Sequence, residues 1–308
     1  MFYYILRRII WTPILLLVIS LIVFIMGQYG PGDPVEVQLG QNYSEERAER
    51  IRESKGLNDP LFIQYFRYIG NAIRGDFGES YKYPSKKVSE LLKPKLVVSA
   101  KLFLASIFIT ILLGIPLGFY SALRQGSWID PSVVALTLVL YAMPVFLIAP
   151  VLIIVFSLEL GWFPVSGWGG FFDKRIILPA ITIGIPGVAV LTRIMRASTL
   201  DVLGNEFVRT ARAKGLTDFV VNYRHVARNA LIPVVTILGF SIAGMLGGAL
   251  IVELIFGIPG VGRFALDSIF SRDYPVIMAL TLIGAISLIV ANLIVDIFYV
   301  ILDTRIRY

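Results

Sequence analysis

The sequence predicts an all-α integral membrane protein with six transmembrane helices, a charged cytoplasmic hairpin between the fourth and fifth, and a small helical extracytoplasmic segment after the first span. Three observations lead there. Hydrophobic residues fill 56% of the 308 positions and charged residues only 16%, with a mean hydropathy of +0.78, outside the range of soluble domains. Six long uncharged runs reach or approach the roughly 20 residues that a helix needs to cross about 30 Å of hydrocarbon. The cations of the short connections gather on one side of those runs, as expected of cytoplasmic loops.

The runs are Ile9–Gln28, Leu102–Leu123, Ser132–Leu158, Ile176–Thr192, Asn229–Val252 and Tyr274–Val295. The first follows Arg7 and Arg8 like a signal peptide, but it is long for that role and no small-residue cleavage site follows, so it reads as a retained span. The fourth is short and holds Pro179 and Pro186, which suits a kinked span packed among its neighbours. With the N-terminus inside, the inner segments carry Arg7, Arg8, Arg124, Arg193, Arg196, Arg209, Arg212, Lys214, Arg224, Arg228, Arg305 and Arg307. The short outer loops, 159–175 and 253–273, carry only Lys174, Arg175, Arg263 and Arg272. Segment 29–101 is too long for its charges to report on orientation. Both termini are therefore expected in the cytoplasm.

Three regions follow: 1–28, the tail and first span; 29–97, an outer segment with short helices; and 98–308, a five-span core with a hairpin at 199–228. In the outer segment, Ser44 with Glu45 and Glu46 is expected to start a helix that Lys55-Gly56 ends. Asp59-Pro60 is expected to open a second helix, closed by Gly75. Its stripe of Phe62, Phe66, Ile69 and Ile73 is expected to pack on the bundle or to lie at the outer membrane surface.

Several chemistries are excluded or disfavoured. The chain has no cysteine and one histidine, His225, which disfavours a zinc centre and a Ser-His hydrolase. No G-x-x-x-x-G-K-[ST] loop occurs, so ATP is not split here by the P-loop route. The net charge of +7 reflects the cytoplasmic bias of Lys and Arg better than a nucleic-acid partner. An ion-driven secondary transporter would need midplane carboxylates or paired broken helices, which are not clear in the sequence.

The seven cations from Arg193 to Arg228 would cost on the order of 17 kcal/mol in hydrocarbon, so this segment belongs in water. Asn205 is expected as an N-cap, Glu206 at the positive helix end, Arg212 and Lys214 at the negative end, and Gly215 as the left-handed terminator. Leu203, Phe207 and Ala211 are expected to line one side, with Asp218 capping a second helix that Ile232-Pro233 perturbs. So short a helix is marginal alone. Docking on a soluble partner would hold it, and so would lying flat on the inner leaflet.

Beyond the fifth span, Phe256-Gly257-Ile258-Pro259-Gly260-Val261-Gly262 breaks helix. It is either an ordinary outer turn or a re-entrant element lining a cavity. Glu253 and Asp296 lie near span ends, where caps or interfacial ion pairs are expected rather than proton relays.

In the hairpin, Arg209-Thr210-Ala211, Gly215 and Leu231-Ile232-Pro233 follow the order of an E-A-A, G, I-x-L-P consensus. Pro31-Gly32-Asp33-Pro34, Gly75-Asp76-Phe77-Gly78, Pro259-Gly260-Val261-Gly262-Arg263 and Arg272-Asp273-Tyr274-Pro275 stand in order along the chain. In these the chain resembles the membrane permease subunits of bacterial ATP-binding-cassette importers. Arg in place of Glu, Thr in place of the first Ala and a longer glycine-to-proline interval match the branch for di- and oligopeptides, glutathione and nickel.

The resemblance implies an ATP-driven, binding-protein-dependent importer of the bacterial inner membrane. Peptide is the first expectation; nickel, glutathione or another small solute is the alternative. It implies a second homologous permease, two ATP-binding-cassette ATPases, an extracytoplasmic substrate-binding protein and surrounding membrane lipid as partners, and no nucleic acid. It further implies that this chain binds no cofactor, with ATP and Mg held by the ATPases. The hairpin then becomes a coupling helix, with Glu206, Phe207, Arg209, Thr210, Ala211, Arg212, Lys214 and Gly215 facing the ATPase. Gly257, Pro259, Gly260 and Gly262 become a candidate translocation-path or re-entrant element.

Overall fold

The computed structural model describes residues 2–29, 35, 39, 43–241 and 249–302. The described residues form helices and connecting turns, with one isolated bridge between Glu79 and Lys87 as their only strand-like pairing. In chain order the helices are α1 (Phe2–Gln28), α2 (Glu45–Lys55), α3 (Leu61–Ile73), α4 (Val88–Leu123), α5 (Ile129–Ala142), α6 (Val145–Leu152), α7 (Ile177–Leu203), α8 (Glu206–Ala213), α9 (Ala227–Ser241), α10 (Leu250–Ile255), α11 (Val261–Phe270) and α12 (Tyr274–Leu302). The Pro31-Gly32-Asp33-Pro34 motif and the arginines 305 and 307 lie outside the described residues.

Four of these helices are long and apolar enough to cross a membrane: α1, α4, α7 with the turn before it, and α12. The expected single third span, Ser132–Leu158, is instead broken. α5 meets α6 and its π-helical continuation Ile153–Glu159 at a bend of 104°. The cause is local: Met143 is extended at φ −76°, ψ 123°, because the ring of Pro144 disfavours helical backbone in the residue before it. The fifth expected run, Asn229–Val252, is seen as α9 and α10, and residues 242–248 between them lie outside the described residues.

The expected short fourth span proves to be the central helix. α7 extends to Leu203, and its apolar stretch is 56% buried against 17–22% for the other three. It packs most extensively on α4. Gly114 and Gly118 of α4 let the α7 backbone approach so closely that a Cβ at Gly118 would overlap the Thr192 carbonyl. Thr110 donates to the Gly184 carbonyl at 3.2 Å and Thr192 to the Gly114 carbonyl at 3.3 Å. Small residues with hydroxyl bridges are how helices associate where apolar burial supplies little drive.

The caps of α2 are as expected: the Ser44 hydroxyl accepts from the Arg47 N–H, and Gly56 is left-handed at φ 61°. The face that α3 presents to the bundle differs from expectation. Tyr65 and Tyr68 pack on Phe24 of α1 with ring centroids 5.6 and 5.8 Å apart, and Gln64 accepts from the Gln28 side chain at 2.9 Å. Burial pushes the Tyr68 hydroxyl up to about 12. Phe62, Phe66 and Ile73 are exposed, whereas Ile69 is half-buried in a groove with Leu16 and Leu17 of α1 and Leu282 of α12, so the expected row divides between the outer surface and the bundle. On the buried face Gln64 also donates to the Leu57 and Asp59 carbonyls and Tyr65 to that of Leu17, whereas the Tyr68 hydroxyl is buried without a hydrogen-bond partner among the described residues and is held there by the packing of its ring.

The motifs flanking α4 and α12 hold the intervening segment to the bundle. The Asp76 carboxyl accepts from the Gly78 N–H at 3.0 Å and pairs with Lys87 at 3.1 Å, which together hold it below the usual carboxylate range. Asp273, buried before α12, accepts from the Ser80 hydroxyl, from the Tyr81 N–H at 3.0 Å and from the Lys82 N–H at 3.4 Å.

Candidate functional site

Two sites stand at opposite ends of the α4/α7 pair. One apolar cluster joins Phe119 and Met195 to the hairpin, and another joins Leu102 and Leu178 to α10 and the turn after it. Seventeen residues separate the two members on each helix (119 − 102 and 195 − 178), or about 26 Å at 1.5 Å per residue.

At the hairpin end, Gly204 ends α7 and α8 starts afresh at Glu206. Asn205 has the extended backbone of an N-cap, but its side chain makes no capping bond. In the next turn Thr217, not Asp218, holds the cap position. Asp218 instead lies 3.7 Å from Arg212. Gly215 is left-handed at φ 76°, as expected of the terminator.

The buried face of α8 is Val208 and Ala211, packed against Val202, Val221, Val226 and Ala230. The expected Leu203–Phe207–Ala211 line is corrected, because Leu203 belongs to α7 and the break at Gly204 resets the helical phase. Phe207 is 42% exposed, while Val208 is fully buried. The short helix is thus held from within the chain, where burying a Val is worth roughly 1.5–3 kcal/mol. Glu206, Arg209, Thr210, Arg212 and Lys214 are exposed around Phe207, and Ala211 faces inward. The Thr210 hydroxyl donates to the Glu206 carbonyl at 3.0 Å. Phe219, its ring tilted against that of Tyr223 with centroids 4.7 Å apart, adds a second exposed aromatic that helical spacing alone did not single out. The expected disruption at Pro233 is also displaced: α9 runs through it, and the irregularity is the π-helical turn Val221–Val226.

One interaction near this end was not legible in the sequence. Arg196 of α7 donates two bonds to Asp130 of α5, at 2.5 and 2.7 Å, and the Ser121 hydroxyl of α4 donates to the same carboxylate at 2.6 Å. Three helices meet there on a carboxylate that is 6% exposed. The partners are 66 residues apart, so no spacing pattern reveals them.

At the other end, α10 and α11 form a hairpin around Gly257, left-handed at φ 64°. The hairpin adjoins the 160–176 loop, where the Gly167 N–H donates to the Phe256 carbonyl at 2.8 Å. Pro259 is exposed, Gly257 is half-buried, and Gly260 and Gly262 are buried. Glu253 lies fully buried beneath them, as a cap rather than an ion pair among the described residues. The side chain of Asp296 lies outside those described.

Residues 114–308 match the family described as "Binding-protein-dependent transport system inner membrane component", and residues 1–85 match its N-terminal region. The chain belongs to this family. It is 41% identical to the oligopeptide transport system permease protein AppB of Bacillus subtilis, with 99% of each chain covered. It is 38% identical to the oligopeptide permease protein OppB of Haemophilus influenzae, with 96% of each covered. It is 36% identical to the glutathione permease protein GsiC of Escherichia coli K12, with 99% of each covered. The expectation drawn from the hairpin and the scattered motifs is borne out: this is an importer permease subunit, a multi-pass protein of the inner membrane.

Proposed function

We propose that the permease forms half of a translocation pathway for di- or oligopeptides, paired with a second, similar permease, and is driven by two ATPases that carry the ATP and Mg. An extracytoplasmic binding protein delivers the cargo. The observation that carries the coupling role is the division of labour on α8. Val208 and Ala211 root the helix in the cluster that includes α4 and α7, while Phe207 and the surrounding cations face outward. A force applied to the exposed face is therefore delivered to the central helices through close-packed side chains. Closure of the ATPases would tilt the α4/α7 pair and switch access between the two ends.

The reading includes six spans, with α5/α6 as the broken third and α9 to α10 completing the fifth, and both termini in the cytoplasm. Gly257, Pro259, Gly260 and Gly262 belong to a re-entrant element at the outer end. Peptide cargo is supported by the full-length similarity to two oligopeptide permeases. Glutathione, itself a small peptide, is the second reading, supported by the full-length similarity to a glutathione permease. Identification of the ligand that copurifies with the cognate binding protein distinguishes them. Oligopeptides are expected, and a metal ion or sugar there would overturn the peptide assignment.

A further inference from the structure

Glu253 is a fully buried carboxylate on which donors converge from three directions. Oε1 accepts from the Ser99 hydroxyl of α4 at 2.6 Å and from the Ala249 N–H at 3.3 Å, and Oε2 accepts from the Arg263 N–H at 2.9 Å. The Ser99 oxygen in turn accepts from the Val261 N–H at 2.8 Å. Val261 and Arg263 are the first and third residues of α11, so the amides at its start, which have no partner inside the helix, are satisfied from α10 and α4. The cap position itself is Gly260, which has no side chain to do this.

The glycines acquire a reason from the same geometry. A Cβ at Gly260 would overlap the Glu253 carboxyl, and one at Gly262 would lie 2.8 Å from the Leu250 backbone and 3.1 Å from Glu253 Oε2. Neither residue has a left-handed backbone. Their smallness makes room for a carboxylate.

We infer that Glu253 is the positioning residue of the Gly257–Gly262 turn: its carboxylate occupies the space the glycines leave, caps α11, and through Ser99 fastens the turn to α4. The turn then moves with the α4/α7 pair instead of independently of it. Each change of access carries the turn along, which makes the buried carboxylate a determinant of how much cargo passes per ATP. This consequence for transport rests on the importer function proposed above, whereas the packing of Glu253 against Gly260 does not.

The test uses the whole complex in proteoliposomes, with binding protein and peptide, and compares wild type with Glu253→Gln, Glu253→Ala, Gly260→Ala and the double variant Glu253→Ala/Gly260→Ala. Glutamine keeps the shape but turns one acceptor into a donor facing another donor. Uptake per ATP hydrolysed is expected to fall about tenfold in Glu253→Gln, which leaves a buried donor unmet, and as much in Gly260→Ala, whose Cβ displaces the carboxylate from its donors, with ATPase subunits still bound at the far end. In the Glu253→Ala background, Gly260→Ala is expected to add no further loss, because the space is already vacated. Wild-type coupling in Glu253→Gln, loss of the ATPases from it, or an equal loss from Gly260→Ala in both backgrounds would overturn the inference. The same cycle is read as the Tm of the purified complex. Absence of ATPases from the wild-type complex would defeat the importer reading while leaving that thermal cycle to decide on the carboxylate.

Discussion

Phe207 and Val208 are neighbours in sequence and opposites in environment. Val208 is fully buried in the cluster that holds α8 to α7 and α9, and Phe207 is 42% exposed among cations. An Asp at 208 would bury an unpaired charge, at roughly 3–5 kcal/mol; at 207 it would stand in water near a helix N-terminus, where a carboxylate is tolerated. Val208→Asp is therefore expected to deplete the permease from membranes, and Phe207→Asp to leave it at wild-type abundance, as immunoblots of membrane fractions will measure. Equal abundance of both variants would contradict the packing of α8. The sequence exposes the left-handed Gly215 and the Ser44 cap, since each depends on a residue's own chemistry. It conceals which of 207 and 208 faces inward, because that is decided by where α7 stops.

Between elements, two carboxylates act as junctions. Asp273 joins the start of α12 to residues 80–82 through the Ser80 hydroxyl and two backbone N–H groups. Asp273→Ala leaves those donors unmet, at about 1–3 kcal/mol each if they stay dry. Limited proteolysis between α3 and α4 should accelerate severalfold, and an unchanged cleavage rate would count against the junction. Asp130 joins α5 to α7 through Arg196. Arg196→Ala is expected to cost roughly 1.5–3 kcal/mol, the range for bonds to a charged group. Exchange of the two residues, Asp130→Arg with Arg196→Asp, should recover at least part of the stability that either substitution loses alone. No recovery in the Tm of the double variant would show that the pair is not coupled. Neither junction follows from periodicity. The break at Met143-Pro144 was legible in principle, since proline restrains its predecessor, but the surrounding apolar run masked it.

For the whole molecule, the asymmetry of cations predicts an orientation with both termini in the cytoplasm. A cysteine placed at Ser44 should react with a membrane-impermeant thiol reagent in intact cells, and one at Thr217 should not; the chain has no cysteine of its own to interfere. The reverse labelling would invert the topology and place the hairpin outside. The family was legible because its motifs recur in order from end to end, whereas the buried capping by Glu253 required the fold: residues 99, 253, 261 and 263 come together only in three dimensions. The central claim is that the exposed face of α8 receives the ATPases. Retention of ATPase subunits on the affinity-purified permease complex tests it most directly, with wild type beside Phe207→Asp. Removing a Phe anchor worth roughly 1.5–3 kcal/mol and placing a carboxylate in its groove should lower retention by at least about tenfold while the permease stays folded. Full retention, together with wild-type stimulation of hydrolysis by substrate, would contradict a coupling role for α8.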